Sequence, residues 1–154
     1  MYSDFDQETL DIDWFLTNGQ EIAFMASAGG CLPTSVSKSA QNNEVLQAYF
    51  EDLPYTSEII INPFLKNFIK SEVSEQYLSA FTGMAMKGLY AFDKTNLGVF
   101  NDPNYHLVAK PVTLLNVNLL PPAILNIIME TRFDGVMGLT FDISILNKTK
   151  HLLK

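Results

Sequence analysis

IDWFLTNGQEIAFMAS, residues 12–27, holds two β-prone runs, Ile12 to Leu16 and Glu21 to Ser27, on either side of Thr17-Asn18-Gly19-Gln20. Asn-Gly tolerates positive φ at both positions and is the strongest short-range hairpin signal. The stretch therefore predicts an antiparallel hairpin near the N-terminus. Ala28-Gly29-Gly30 should break the second strand, and Leu32-Pro33-Thr34-Ser35 should open a helix, because proline in a first turn forfeits no needed N–H. Val36, Val45, Leu46, Tyr49 and Phe50 then suggest one or two helical pieces with a polar join at Gln41-Asn42-Asn43, closed by Leu53-Pro54.

Further along, Ser57 to Ile61 reads as a short buried strand ended by Asn62-Pro63. Apolar spacings of three and four from Phe64 to Phe81 favour amphipathic helix, with Ser71 or Ser74 as a restart cap. Met84 to Lys87, between Gly83 and Gly88, reads as a loop or helix end. Gly88 to Asp93 and Tyr105 to Leu115 look like two strands joined by an Asn, Gly, Asp and Pro loop, with Pro111 at an edge or bulge. Pro121-Pro122 starts a short helix over Ala123 to Thr131, and Gly138 to Leu146 alternates like a half-buried terminal strand. Hairpins with interspersed helices, without regular strand–helix–strand repeats, predict an α+β fold with a mostly antiparallel sheet.

The 154 residues are 47% hydrophobic, 12% aromatic and 18% charged, which fits one domain over 1–146 with a basic C-terminal tail, 147–154. A chain of this size buries roughly 68–70% of its unfolded surface and needs no staple. The formal charge of −7 and an isoelectric point near 4.6 repel phosphate, so no nucleic acid is expected as a partner. Apolar stretches stay far short of the about 20 residues a bilayer needs, so no membrane is expected either. One cysteine, Cys31, leaves no intrachain disulfide, and the acidic start MYSDFDQETLDID is the reverse of a secretory signal; both favour the cytoplasm.

Two histidines and one cysteine are too few for a zinc centre, and DFDQETLDID lacks the glycine of a calcium loop, so neither metal nor cofactor is expected. Cys31, after Gly29-Gly30 and before a helix start, is the best candidate nucleophile, with His106 as the base it would need. A small buried hydrophobe is the commoner role for such a residue. Gly29-Gly30 lacks the rest of any phosphate-loop motif, and Pro33 removes one of the amides that would bind. Asp11 and Asp13 lie on one strand face but have no evident tuning partners. Trp14 reads as a packing anchor, and Arg132 as a structural salt bridge or helix-end contact.

DIDWF (Asp11 to Phe15), CLPTSVSKS (Cys31 to Ser39), GLYAFD (Gly88 to Asp93) and LLPPAIL with TRF (Leu119 to Phe133) resemble an uncharacterised bacterial family of small proteins, itself similar to the immunity proteins of toxin systems. The resemblance implies a binder that neutralises a toxin by occluding it, and it carries no catalytic residues. With the clustered acids, it leads to the expectation of a non-enzymatic domain that meets a basic protein partner through Asp4, Asp6, Asp11 and Asp13. The alternative is a small cytosolic enzyme using Cys31 or a carboxylate.

Overall fold

The hairpin forms where the sequence places it. In the computed structural model, which describes residues 1–146, β1 (Asp13–Thr17) and β2 (Ile22–Ala26) pair antiparallel, Thr17 against Ile22 and Asp13 against Ala26. Gly19 takes positive φ, +92°, but Asn18 acts through its side chain: Oδ1 accepts the N–H groups of Gln20 and Glu21 at 3.0 and 2.8 Å. Ala28 (φ +46°) and Gly29 (φ +77°) then turn the chain off the sheet. The basic tail expected at 147–154 lies outside the described residues.

A short helix that the sequence reading did not anticipate, α1 (Asp4–Thr9), precedes the hairpin, held by a capping box between Ser3 and Asp6. Pro33 is the N-cap of α2 (Thr34–Ser37), and α3 (Ala40–Glu51) follows. The join falls at Lys38-Ser39 and not at Gln41-Asn42-Asn43, because the Ser39 hydroxyl caps the N–H of Asn42 at 3.1 Å and draws those three amides into the first turn of α3. β3 (Ile59–Ile61) is an edge strand with Ile60 exposed, not the buried strand expected. From Phe64 to Val73 the apolar spacing makes a 3-10 turn (Leu65–Asn67) and irregular chain. Helix begins only at α4 (Glu75–Met86), whose N-cap Ser74 is held extended at φ −96°, ψ 158°. Met84 to Met86 are its last turn.

β4 (Tyr90–Lys94) and β5 (Asn104–Pro111) form the second antiparallel pair, α5 (Pro122–Ile128) starts at the proline pair, and β6 (Thr140–Asp142) is a short remnant of the terminal strand expected over Gly138 to Leu146. The sheet runs β1-β2-β4-β5, with β3 and β6 placed end to end along the outer edge of β5. Only β2 and β4 among the described strands pair parallel, joined by a crossover that contains α2, α3, β3 and α4. The fold is thus α+β with a mostly antiparallel sheet. Val108 is an extra residue in β5, since Ala91 faces Ala109 while Phe92 faces Leu107; Pro111 closes the strand beyond β4.

Both faces of the sheet are covered, which explains why β1 and β2 read as continuous apolar runs. Phe15, Phe24, Ala91 and Val108 pack under α3, α4 and α5 through Leu46, Phe50, Phe81, Ile124 and Ile128. Trp14, Met25, Phe92 and Tyr105 pack on the opposite face against Leu32, Val36, Phe133 and Phe141. Trp14 is fully buried and donates from Nε1 to the Tyr105 hydroxyl at 3.3 Å, the anchor role expected of it. Burying each such side chain contributes roughly 1.5–3 kcal/mol. Arg132 pairs with Asp134 at 3.7 Å, while Glu130 pairs with Lys38 at 3.1 Å.

Candidate functional site

Residues opposite one another in adjacent strands share a face, and the register puts four in a row: Asp13 faces Ala26, Ala26 faces Asp93, and Asp93 faces His106. The face is the one that also carries Phe15, Phe24 and Val108, so this polar row finishes an otherwise apolar core. The small Ala26 separates two carboxyl groups, and each opens on a different concavity.

The first is a cleft of about 600 Å³ on the Asp93 side, where Tyr77 of α4 and the 95–102 loop approach the end of β4. The Tyr77 hydroxyl donates to Asp93 Oδ2 at 2.7 Å, and its oxygen lies 3.4 Å from His106 Nε2. His106 Nδ1 lies 2.9 Å from the Thr95 hydroxyl, and its ring stacks on Phe68 at 5.4 Å and 3°. With the Tyr77 hydrogen given to Asp93, His106 Nε2 carries the proton it gives to the Tyr77 oxygen, and a neutral imidazole leaves Nδ1 to accept from Thr95. Burial supports this assignment by pushing His106 down to about 4. Burial also pushes Asp93 up to about 6, with the Asp11 charge adding to the rise; the Tyr77 hydrogen bond and the Lys94 N–H oppose it. Tyr77 itself is raised, first by burial and then by the Asp93 charge. The result is a hydrogen-bonded chain, Thr95–His106–Tyr77–Asp93, ending on the carboxyl of a residue that is 9% exposed and lines the cleft.

The second concavity, about 280 Å³, is lined by Asp11, Asp13 and Glu51 with Phe15, Gln47 and Met84. α3 is fixed over the start of β1 by two amides on one carbonyl, Asn43 Nδ2 and Gln47 Nε2 donating to the Asp13 oxygen at 2.9 and 2.7 Å. That contact brings Glu51 to the two aspartates, which sequence distance had hidden. Asp11 Oδ1 accepts the Ala28 N–H at 2.9 Å. Burial, then the charges of Asp11 and Glu51, raise Asp13 to about 6. Lys87 lies close by, but its ammonium is held by the Glu51 backbone carbonyl at 2.6 Å. Among the described residues, no side-chain ion pair reaches Asp13 or Asp93.

Of the four acids expected to form one surface, Asp11 and Asp13 meet in this hollow. Asp4 and Asp6 stand apart on α1, where the Asp6 carboxylate accepts the Ser3 N–H at 3.0 Å. Cys31 and His106 do not converge. Cys31 packs against the cluster that contains Tyr105, while His106, the next residue along β5, projects from the opposite face. Behind the cleft, Lys94 is almost fully buried, donates to the Asp102 carbonyl at 2.7 Å, and passes so close to Gly30 that a Cβ there would sit 2.7 Å from its Cδ. The groups that sequence reasoning missed, Asp93, Tyr77 and Glu51, include one with a visible signal: Asp93, like His106, is a polar residue inside an apolar strand.

Among the described residues, no three His, Cys, Asp or Glu side chains are grouped to hold a metal ion, and no helix is long and apolar enough to cross a membrane. No family model matches the chain, and no curated protein or solved structure matches it significantly.

Proposed function

We propose that the chain is a non-enzymatic protein-binding domain that docks a basic protein partner through its acidic face, in the manner of a cytoplasmic immunity protein occluding a toxin. The observation that carries this reading is the hollow of Asp11, Asp13 and Glu51, three carboxyl groups on one concavity whose lining includes no basic side chain. Burial first, and then the like charges of Asp11 and Glu51, raise the Asp13 carboxyl, and a partner's lysine or arginine would offset that cost. Exposed Leu10, next to Asp11 in the chain, offers apolar contact beside the charge, the combination that anchors interfaces. Field complementarity of this kind speeds association and weakens with salt.

The test compares the wild-type chain with the triple variant Asp11→Asn, Asp13→Asn, Glu51→Gln in pull-downs from the native host at low and moderate salt. A basic protein retained by the wild type and lost by a folded triple variant is the expected result. Recovery of no stable partner by the wild type, or equal recovery by both, overturns the reading.

A further inference from the structure

We propose that the cleft beside Asp93 is a separate binding site for a small organic ammonium ligand, a primary amine carried on an apolar or aromatic body. About 600 Å³ is within the range of pockets that enclose small molecules. Its walls include Phe68, Ile69, Leu97 and Val99, which suit an apolar body, and Asp93 is its buried acid.

The charge arrangement selects for a cation. A carboxylate has roughly four acceptor positions, and on Asp93 the Tyr77 hydroxyl, at 2.7 Å, and the Lys94 N–H take two of them. The other charges along the lining are committed or peripheral. Asp102 accepts the Asn96 side chain at 2.9 Å and the Asn104 N–H at 3.0 Å, and its backbone carbonyl holds the Lys94 ammonium. Lys70 is exposed at the rim. Asp93 is thus a buried carboxylate without a counter-ion, a state that an entering ammonium relieves through charge-assisted hydrogen bonds about twice as strong as neutral ones. An anionic ligand would add repulsion, and a neutral one would leave the charge unpaired. The neutral His106 behind Tyr77 supports this polarity: the chain from Thr95 delivers its hydrogen bonds toward the carboxylate and puts no positive charge there. The site shares no lining residue with the acidic hollow, and of that hollow's acids only the Asp11 charge acts on Asp93.

Calorimetric titration with three probes of one shape tests this: phenethylamine, its neutral analogue phenethyl alcohol, and the anion hydrocinnamate. The amine is expected to bind at least about tenfold more tightly than either analogue, a gap of about 1.4 kcal/mol. Asp93→Asn should bring the amine down to the level of the alcohol, and Val99→Trp, at an exposed rim position, should block it without touching the carboxyl. Asp13→Asn with Glu51→Gln should leave amine affinity within about twofold, which separates this site from the protein interface. No amine preference, equal amine affinity in folded Asp93→Asn, or unimpaired binding by Val99→Trp would each overturn the proposal. Should Asp93→Asn fail to fold, Val99→Trp alone decides.

Discussion

Asp13 and Asp93 stand in one row of the sheet with Ala26 between them, and both carboxyls are raised to about 6, yet by different routes. At Asp13 every contribution pushes the same way, burial first and then Asp11 and Glu51. At Asp93 burial is opposed by the Tyr77 hydroxyl and a backbone N–H, so a carboxyl that is more deeply enclosed ends at the same value. The difference teaches that a shifted titration does not by itself say what a carboxyl is for. The groups that face it do: Asp13 meets two like charges in a hollow whose lining holds no cation, whereas a built donor chain holds Asp93 in a cleft open to solvent.

The sharpest way to break the contrast is to remove the donor. Tyr77→Phe takes away the side-chain hydrogen bond to Asp93 and leaves the buried carboxyl with only the Lys94 N–H. It should destabilise the protein by about 2 kcal/mol at pH 7 in urea unfolding and drive Asp93 above its present value in an NMR titration. A loss below about 0.5 kcal/mol would mean that Tyr77 does not hold the carboxyl.

Next in size is the pH profile. Asp13 and Asp93 bind protons more tightly in the folded chain than at the ordinary 3.8, so each contributes stability at pH 4 that is lost as pH rises to 6. His106, held at about 4 against 6.5, works in the opposite sense: its stability is full above pH 6.5 and is lost as pH falls toward 4. Two carboxyls against one imidazole leave stability falling with pH near 5 by less than about 1.4 kcal/mol per unit. His106→Gln removes the opposing group, and its urea midpoints at pH 4, 5 and 6 should fall more steeply than those of the wild type.

Smaller still, Asp13→Asn should stabilise the chain by about 1 kcal/mol at pH 7, a figure discounted because the group is partly open to solvent. Urea unfolding checks it, and a loss of stability would show that the hollow is not repulsive. The smallest effect belongs to Glu51→Gln, which should move the Asp13 titration down toward 3.8 and leave Asp93 unmoved; NMR of the two carboxyls reads both.

Much of the fold is legible because its signals are local. The Asn18-Gly19 turn, the break at Ala28-Gly29, the Ser74 cap and the Pro121-Pro122 start each act within a few residues of themselves. The apolar spacing from Phe64 to Val73 misleads for a physical reason: Leu65, Ile69 and Val73 do pack on the core, but from a 3-10 turn and irregular chain. The parallel pairing of β2 with β4 is silent in the sequence, since it depends on a crossover of more than sixty residues. Both concavities inherit that silence. Glu51 reaches Asp13 only because α3 docks on β1, and Tyr77 reaches Asp93 only because α4 lies across β4. Asp11 and Asp13 are legible as a pair because their separation is two residues, and proximity in the chain alone groups Asp4 and Asp6 with them.

The crossing of Lys94 over Gly30 has a consequence on the far side of the sheet. A methyl group at position 30 would demand the space now filled by the lysine stem and so loosen its grip on the Asp102 carbonyl. That carbonyl belongs to the outer lip of the amine cleft, so Gly30→Ala is a dial rather than a switch: it would slacken the lip by remote leverage, leaving every group that meets the guest chemically intact.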